Sequence, residues 1–284
     1  MDIMQTHMWN NNKYHNPHFF DFSFQTRQLK RKMEEKRQRQ LNIVISIVGD
    51  VDPANAKLLA ERYFGPIPGK PRPTVMHTQE VPQLGPKTVA IWADAQPLLM
   101  VAYKRPGETH RDDPALDLIG MILGDNRTGW MHKTLVEEKQ IAQNADAITN
   151  FPAPRSVNLF VLSVTPARDH TVEENRKALD DLVTRLQSKP VDAETLARVK
   201  NVLRGRFARI LGSNRQLANL LSAFYAGYGD WRRLFAVFTQ YDRLTGEELQ
   251  RVALEYLNPA GRTVAYITAG PEPGTSATIP GGLQ

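Results

Sequence analysis

The sequence predicts a mixed fold in which strands and helices share a buried core, and three observations lead there. Short β-branched runs such as NIVISIV (Asn42–Val48) stop abruptly at turn residues, the pattern of buried strands. Leu196, Val199, Leu203, Phe207 and Ile210 keep the three-and-four spacing of a helix with one apolar face. Two strand-like segments, Asn144–Asn150 and Ser156–Thr165, flank the turn-rich FPAPR as the arms of a hairpin would. With 284 residues and 41% hydrophobic content, the chain has enough apolar surface for one large domain or two small ones.

Taken in order, residues 1–25 mix Asn, His and aromatics with neither helical nor strand period, and Arg27–Gln40 (RQLKRKMEEKRQRQ) is a charge run with only Leu29 and Met33 a helical turn apart. Residues 1–40 therefore read as a solvated arm, poorly ordered or helical. After the strand Asn42–Val48, Pro53–Phe64 reads as a helix, with Asp52 as N-cap and Pro53 at the first position, where a missing N–H leaves no bond unmade. GPIPGKPRP (Gly65–Pro73) is a linker. Lys87–Trp92 and Pro97–Lys104 then read as strands, Asp113–Leu123 as a helix, and Asp125–Lys139 as a loop leading into another helix. Beyond the hairpin come a helix over Thr171–Gln187, one long helical region from Asp192 to about Gly227, a helix over Gly246–Leu257 and a last strand over Thr263–Thr268. The final stretch, 271–284, reads as a disordered tail.

Composition removes several function classes. No apolar run approaches the roughly 20 residues needed to cross a bilayer, and MDIMQTHMWNNNKYH lacks the basic start and apolar centre of a secretory signal. Cysteine is absent, which excludes disulfides, thiolate metal sites and a cysteine nucleophile, and leaves the compartment open. The net charge of +6 sits mostly in the arm: residues 1–40 hold eight Lys/Arg against four Asp/Glu, and the remainder holds 28 against 26. Glu34 and Glu35 interrupt the arm's basic residues, so nucleic-acid binding is the weakest of the functional readings.

The strand-turn-helix IVGDVDPANAKLLAERYFGPIP, the strand QPLLMVAYKRP, the segment DDPALDLIGMILGDNRTGWMHKTLVEEKQIA with its hairpin, and the helix LARVKNVLRGRFARIL together resemble the second half of a domain pair in the pitrilysin/insulinase zinc metallopeptidases, the family that includes mitochondrial processing peptidase. The resemblance covers about Leu41–Ala269. It implies an α+β fold of the LuxS/mitochondrial-processing-peptidase type, a mainly antiparallel sheet with helices on one face. RQLNIVISIVGDVDP echoes AGRTVAYITAGPEP, as two copies of one domain type would. The implied division is a remnant of a first domain plus linker over 41–74 and a complete C-terminal-type domain over 75–270.

Active members bind zinc through H-x-x-E-H, in which two histidines four apart share a helix face and the glutamate activates the metal-bound water. No histidine here has that pattern. His7, His15, His18, His110 and His132 lack partners at the spacing, and the near misses His77-Thr78-Gln79-Glu80-Val81 and His170-Thr171-Val172-Glu173-Glu174 lack the second histidine. The latter reads as a solvated helix start, with a metal pair as the alternative. In active members the segment matching LVEEKQIAQ supplies an arginine and a tyrosine to the substrate carbonyl; those positions fall on Val136 and Gln143. Neither role carries over, although the Gln143 amide can still donate to a peptide carbonyl. Asp112-Asp113 reads as a helix cap, and Trp231-Arg232-Arg233 as a helix end, with a nucleic-acid stacking patch as its alternative.

Three expectations follow. No catalytic or metal-ligating residue is assigned to this chain, and zinc is expected only in a partner or in a missing N-terminal part. The favoured function is a non-catalytic, half-length family member that pairs with a zinc-bearing subunit, or with itself, around a peptide; the alternative is a fragment of a longer active metalloendopeptidase.

Overall fold

The structure, a computed structural model, describes residues 44–66, 83–125, 127–152 and 158–268. The arm, most of the linker, the histidines at positions 7, 15, 18 and 77, the hairpin tip and the tail lie outside the described residues. The elements are α1 (Pro53–Phe64), β1 (Lys87–Trp92), β2 (Leu98–Arg105), α2 (Asp113–Gly124), a π-helical turn (His132–Glu138), β3 (Ala142–Phe151), β4 (Asn158–Pro166), α3 (Val172–Ser188), α4 (Ala193–Leu211), α5 (Asn214–Tyr228), α6 (Arg233–Arg243), α7 (Gly246–Tyr256) and β5 (Arg262–Thr268). They form two compact units, one of Met1–Thr78 with Arg204–Ala236 and one of Gln79–Leu203 with Val237–Gln284.

The larger unit is a five-stranded sheet in the order β1-β5-β2-β4-β3. Every pairing is antiparallel except β1 with β5, so the sheet is mainly antiparallel, as expected for the fold. Burial along β2 alternates strictly: Leu99, Val101, Tyr103 and Arg105 face inward while Leu98, Met100, Ala102 and Lys104 are half-exposed. A period of two is what a sheet with helices on one face requires. The inward residues meet α2, α3 and α7, which pack on one another or on the strands beneath them. Leu116, Leu118, Ile119, Ile122 and Leu123 of α2 have no solvent exposure, and each contributes about 1.5–3 kcal/mol by burial. Gly124 lets α2 lie close on β3, since a Cβ there would stand 2.2 Å from the Ala147 nitrogen.

The helix ends follow the capping signals in the sequence. Asp52 accepts from the Ala54 and Asn55 amides, Thr171 from Glu174, and Thr245 and Glu248 form a reciprocal capping box. The long helical region expected from Asp192 to Gly227 is two helices, because Ser213 breaks it by capping α5 through the Gln216 amide. Helix α6 was not expected; its start is the Trp231-Arg232-Arg233 segment read as a helix end.

In the smaller unit, Val44–Val48 departs from the expected buried strand: it is half-buried and pairs with no strand among the described residues. Its lateral contact is polar, Ser46 Oγ to Ser222 Oγ of α5 at 2.7 Å. The aromatics of this unit stack locally, with Arg232 over Trp231 at 4.7 Å, Arg233 over Tyr228 at 5.2 Å and Phe207 edge-on to Phe235.

Candidate functional site

The segment matching the family's substrate-contact stretch enters the sheet through the π-helical turn His132–Glu138. Widened turns of this kind recur at functional sites because they displace side chains from ordinary helical register. Here the turn closes by Lys139 N–H to Thr134 O at 3.0 Å and Ile141 N–H to Leu135 O at 2.9 Å, and Gln140 takes a left-handed backbone with φ of 54°. Leu135 and Ile141 are buried, anchoring both ends. Val136 packs partly buried against the same core, so this position contributes shape and no hydrogen-bond donor.

Gln143 is exposed on β3, at one edge of the sheet. Ala142 pairs with Pro166 and Asn144 with Thr165, which leaves Gln143 as the extra residue of a β-bulge. Its Oε1 accepts from Gln96 Nε2 at 2.9 Å, so the remaining chemistry of the side chain is donation from its own amide nitrogen. The strand start is tied down by Asn175, which donates to the Ile141 carbonyl at 3.0 Å.

His170 and Glu174 meet directly, Nδ1 to Oε2 at 2.9 Å, both partly exposed at the start of α3. Among the described residues no three His, Asp or Glu side chains converge as metal ligands would.

The Asp112-Asp113 pair is not the simple cap expected. Asp112 stands at the N-cap of α2 but caps nothing through its side chain, because that carboxylate accepts from Arg251 and Tyr256 of α7. Burial works to raise its pKa, yet the hydrogen bonds from Arg251 and Tyr256 prevail and hold it below the usual value. Asp113 and Asp117, one helical turn apart, both face the fully buried Arg105 of β2, which also donates to the Thr149 carbonyl of β3. Tyr241 of α6 donates to Asp117 at 2.9 Å. Burial, then the neighbouring Asp117 charge, push Asp113 up to about 7, and burial also raises Asp117. Two buried carboxylates against one guanidinium favour holding a proton, in an arrangement that joins β2, β3, α2 and α6. The sequence offered one signal for it: an arginine ending an apolar strand.

Residues 26–203 match the peptidase M16 inactive domain. This chain belongs to the peptidase M16 inactive-domain family. The resemblance to zinc metallopeptidases read from the sequence is thereby borne out, as is the fold. This M16 inactive-domain chain is 27% identical over 231 residues to the zinc protease PqqE of Helicobacter pylori, covering 80% of this chain and 51% of that protein. A protease from Helicobacter pylori of known structure superposes with a TM-score of 0.71 at 25% identity, over 78% of this chain and 53% of that one. A peptidase M16 inactive domain from Pseudomonas fluorescens shares the fold with a TM-score of 0.66 at 18% identity, over 79% and 53%. The chain thus spans about half the length of these three relatives. Among the described residues no helix is long and apolar enough to cross a membrane.

Proposed function

We propose that this chain is a non-catalytic half of an M16 peptidase, which supplies one wall of a peptide-binding chamber while zinc and its ligands reside on a partner subunit. The observation that carries this reading is how little the described residues of the smaller unit bury. Val44–Val48 is apolar and strand-like in sequence but has no strand beside it among the described residues, and α1 buries none of its residues. Val51, Leu58, Leu211, Tyr225, Trp231 and Phe235, all of this unit, are among the exposed large apolar side chains. Backbone donors and acceptors of a strand and an apolar helix face both favour a covering partner. In this reading residues 41–74 are the last part of a first peptidase domain, residues 75–270 are a complete second one, and Gln143 donates to a peptide carbonyl in the chamber.

The second reading, that the chain is part of a longer active peptidase, draws on the same low burial and on the coverage of about half of the two Helicobacter pylori proteins. Co-expression separates them. The chain is produced with the H-x-x-E-H protein encoded nearest upstream, and the pair is purified by a tag on one member. Recovery of a one-to-one complex, in which the isolated chains hydrolyse no casein and the complex does, supports a partner subunit. Failure of the two to associate, with a continuous upstream reading frame joining them, replaces that reading with the second.

A further inference from the structure

Two glutamines from different parts of the chain meet at one end of the sheet, and both stand outside its packing. Gln96 precedes β2 and Gln143 is the bulge residue of β3; both are exposed, and among the described residues their side chains bond only to each other, Gln96 Nε2 to Gln143 Oε1 at 2.9 Å. The sheet order sets β4 between β2 and β3, so the two side chains join across the end of the strand that separates them. Their backbones are held independently of that bond. On one side Ala93 N–H donates to the Thr268 carbonyl at 3.2 Å, Pro97 biases the residue before it toward an extended backbone, and the buried Leu99 seats the start of β2. On the other side the buried Leu135 and Ile141, with the bond from Asn175, hold the entry to β3. A neutral bond between two exposed amides replaces bonds to water and costs rotamer freedom in both side chains, so it does little for stability. Its effect is to fix where the amides face.

We propose that Gln96 is a positioning residue for Gln143, and that the joined amides read the main chain of an extended peptide without regard to its side chains. This deepens the chamber reading above and rests on it. A side-chain amide has a carbonyl that accepts and two N–H groups that donate. With Gln143 Oε1 engaged by Gln96, the Gln143 amide nitrogen and the Gln96 carbonyl oxygen stay open, a donor beside an acceptor. If both amides turn over together, the bond reverses and the open groups exchange places, so the pair always presents one of each. An extended residue shows its own N–H and C=O on the same edge, as at the bonded positions of an antiparallel ladder. One peptide residue therefore meets both amides at once, its carbonyl accepting from one and its N–H donating to the other. The bulge interrupts the backbone ladder of β3 at this point, so side chains rather than an added strand supply the contact. Both amides are neutral, which leaves the pair indifferent to the charge of the substrate.

The test uses the casein-hydrolysing assembly that co-expression yields, whether a complex of two chains or the joined reading frame, with variants of this chain introduced into it. Contacts that hold the bound substrate and the transition state equally raise KM when lost and leave kcat unchanged. Gln96→Leu, which removes the acceptor and the tie to Gln143, is expected to raise KM for casein by up to about tenfold, the worth of one neutral hydrogen bond. Gln96→Glu keeps an acceptor for both the Gln143 N–H and the peptide, and should hold KM within about twofold of the unmodified assembly. Gln143→Glu still accepts from Gln96 but has no N–H to give. A purely structural pair would tolerate that change, whereas a peptide-reading pair should lose as much as with Gln96→Leu. The same ratios are expected when a glutamate-rich and a lysine-rich fluorogenic peptide replace casein. Unchanged KM in Gln96→Leu, tolerance of Gln143→Glu, or ratios that differ between the two peptides would each overturn the proposal. An unmodified assembly that hydrolyses no casein fails the chamber reading itself and takes the role of this pair with it, so the unmodified form tells the two failures apart.

Discussion

The larger unit holds nearly all of the buried residues, whereas the described residues of the smaller unit bury only Ser222 and Leu234. Both units are made of amphipathic elements with sound caps: α1 has Asp52 and α5 has Ser213, just as α3 has Thr171. Local signals are therefore equal in the two, and what differs is the number of apolar faces available to meet one another. A helix owes most of its stability in a protein to tertiary packing. Correct caps and correct periodicity do not by themselves make a core.

The sharpest way to break this contrast is hydrogen exchange on the isolated chain. Backbone amides over Ile45–Val48 have no sheet pairing, while Phe160–Val164 lie in the middle of the sheet. Protection should differ by orders of magnitude, since local opening free energies run from near zero to the global value. Equal protection in a verified monomer would mean that the smaller unit is complete by itself.

Truncation of single side chains gives the next largest effect. Leu116→Ala, at a site with no exposure, should lower stability by about 2–5 kcal/mol in urea unfolding. Leu58→Ala, at a site 60% exposed, should change it by less than about 0.5 kcal/mol. If the partner subunit covers α1, Leu58→Ala should nonetheless weaken the complex.

Acidity probes the larger unit alone. The Asp113 carboxyl is raised from 3.8 to about 7 in the folded chain, so between those values the native state holds a proton that the unfolded state has lost. Stability should therefore fall as pH rises from about 4 to about 7. Asp112, whose pKa is lowered, acts in the opposite sense and only at more acid pH. Urea midpoints measured across this range should slope downward, and Asp113→Asn, which mimics the protonated group, should flatten the slope. An unchanged slope would remove Asp113 as its source.

The smallest effect is expected at Gln143. Gln143→Ala should leave stability nearly unaltered and weaken peptide binding by the complex by about 0.5–1.5 kcal/mol, one neutral hydrogen bond. A hundredfold loss of affinity would give this side chain a larger role than a single amide can fill.

Much of the fold was legible because its signals are local. The cap Asp52, the short apolar runs of β1 and β2 and the helix read over Thr171–Gln187 placed those elements to within a residue or two. Three features were missed. Ser213 ends α4 just after Gly212, a local stop-and-cap signal that reading one continuous helical region passed over. Arg105 and its carboxylates come from separate elements, so the adjacency of Asp112 and Asp113 suggested a cap where the fold has two unrelated ion pairs. At the candidate site, the sequence located Gln143 and Val136, but the bulge that turns Gln143 outward depends on its register with β4.

The passage of the chain between its units has a practical consequence for anyone shortening it. Of the three crossings, at Thr78–Gln79, Leu203–Arg204 and Ala236–Val237, the last two fall inside helices, α4 and α6, far in sequence from the proline-rich linker. Trimming the gene at that linker would delete Val44–Val48 and α1 but leave α5, with Ser222 deprived of its Ser46 partner and the exposed apolar side chains Leu211, Tyr225, Trp231 and Phe235 retained. Expression of such a product should give inclusion bodies, and a soluble version would need the stretch from α4 to α6 rebuilt with polar residues as well.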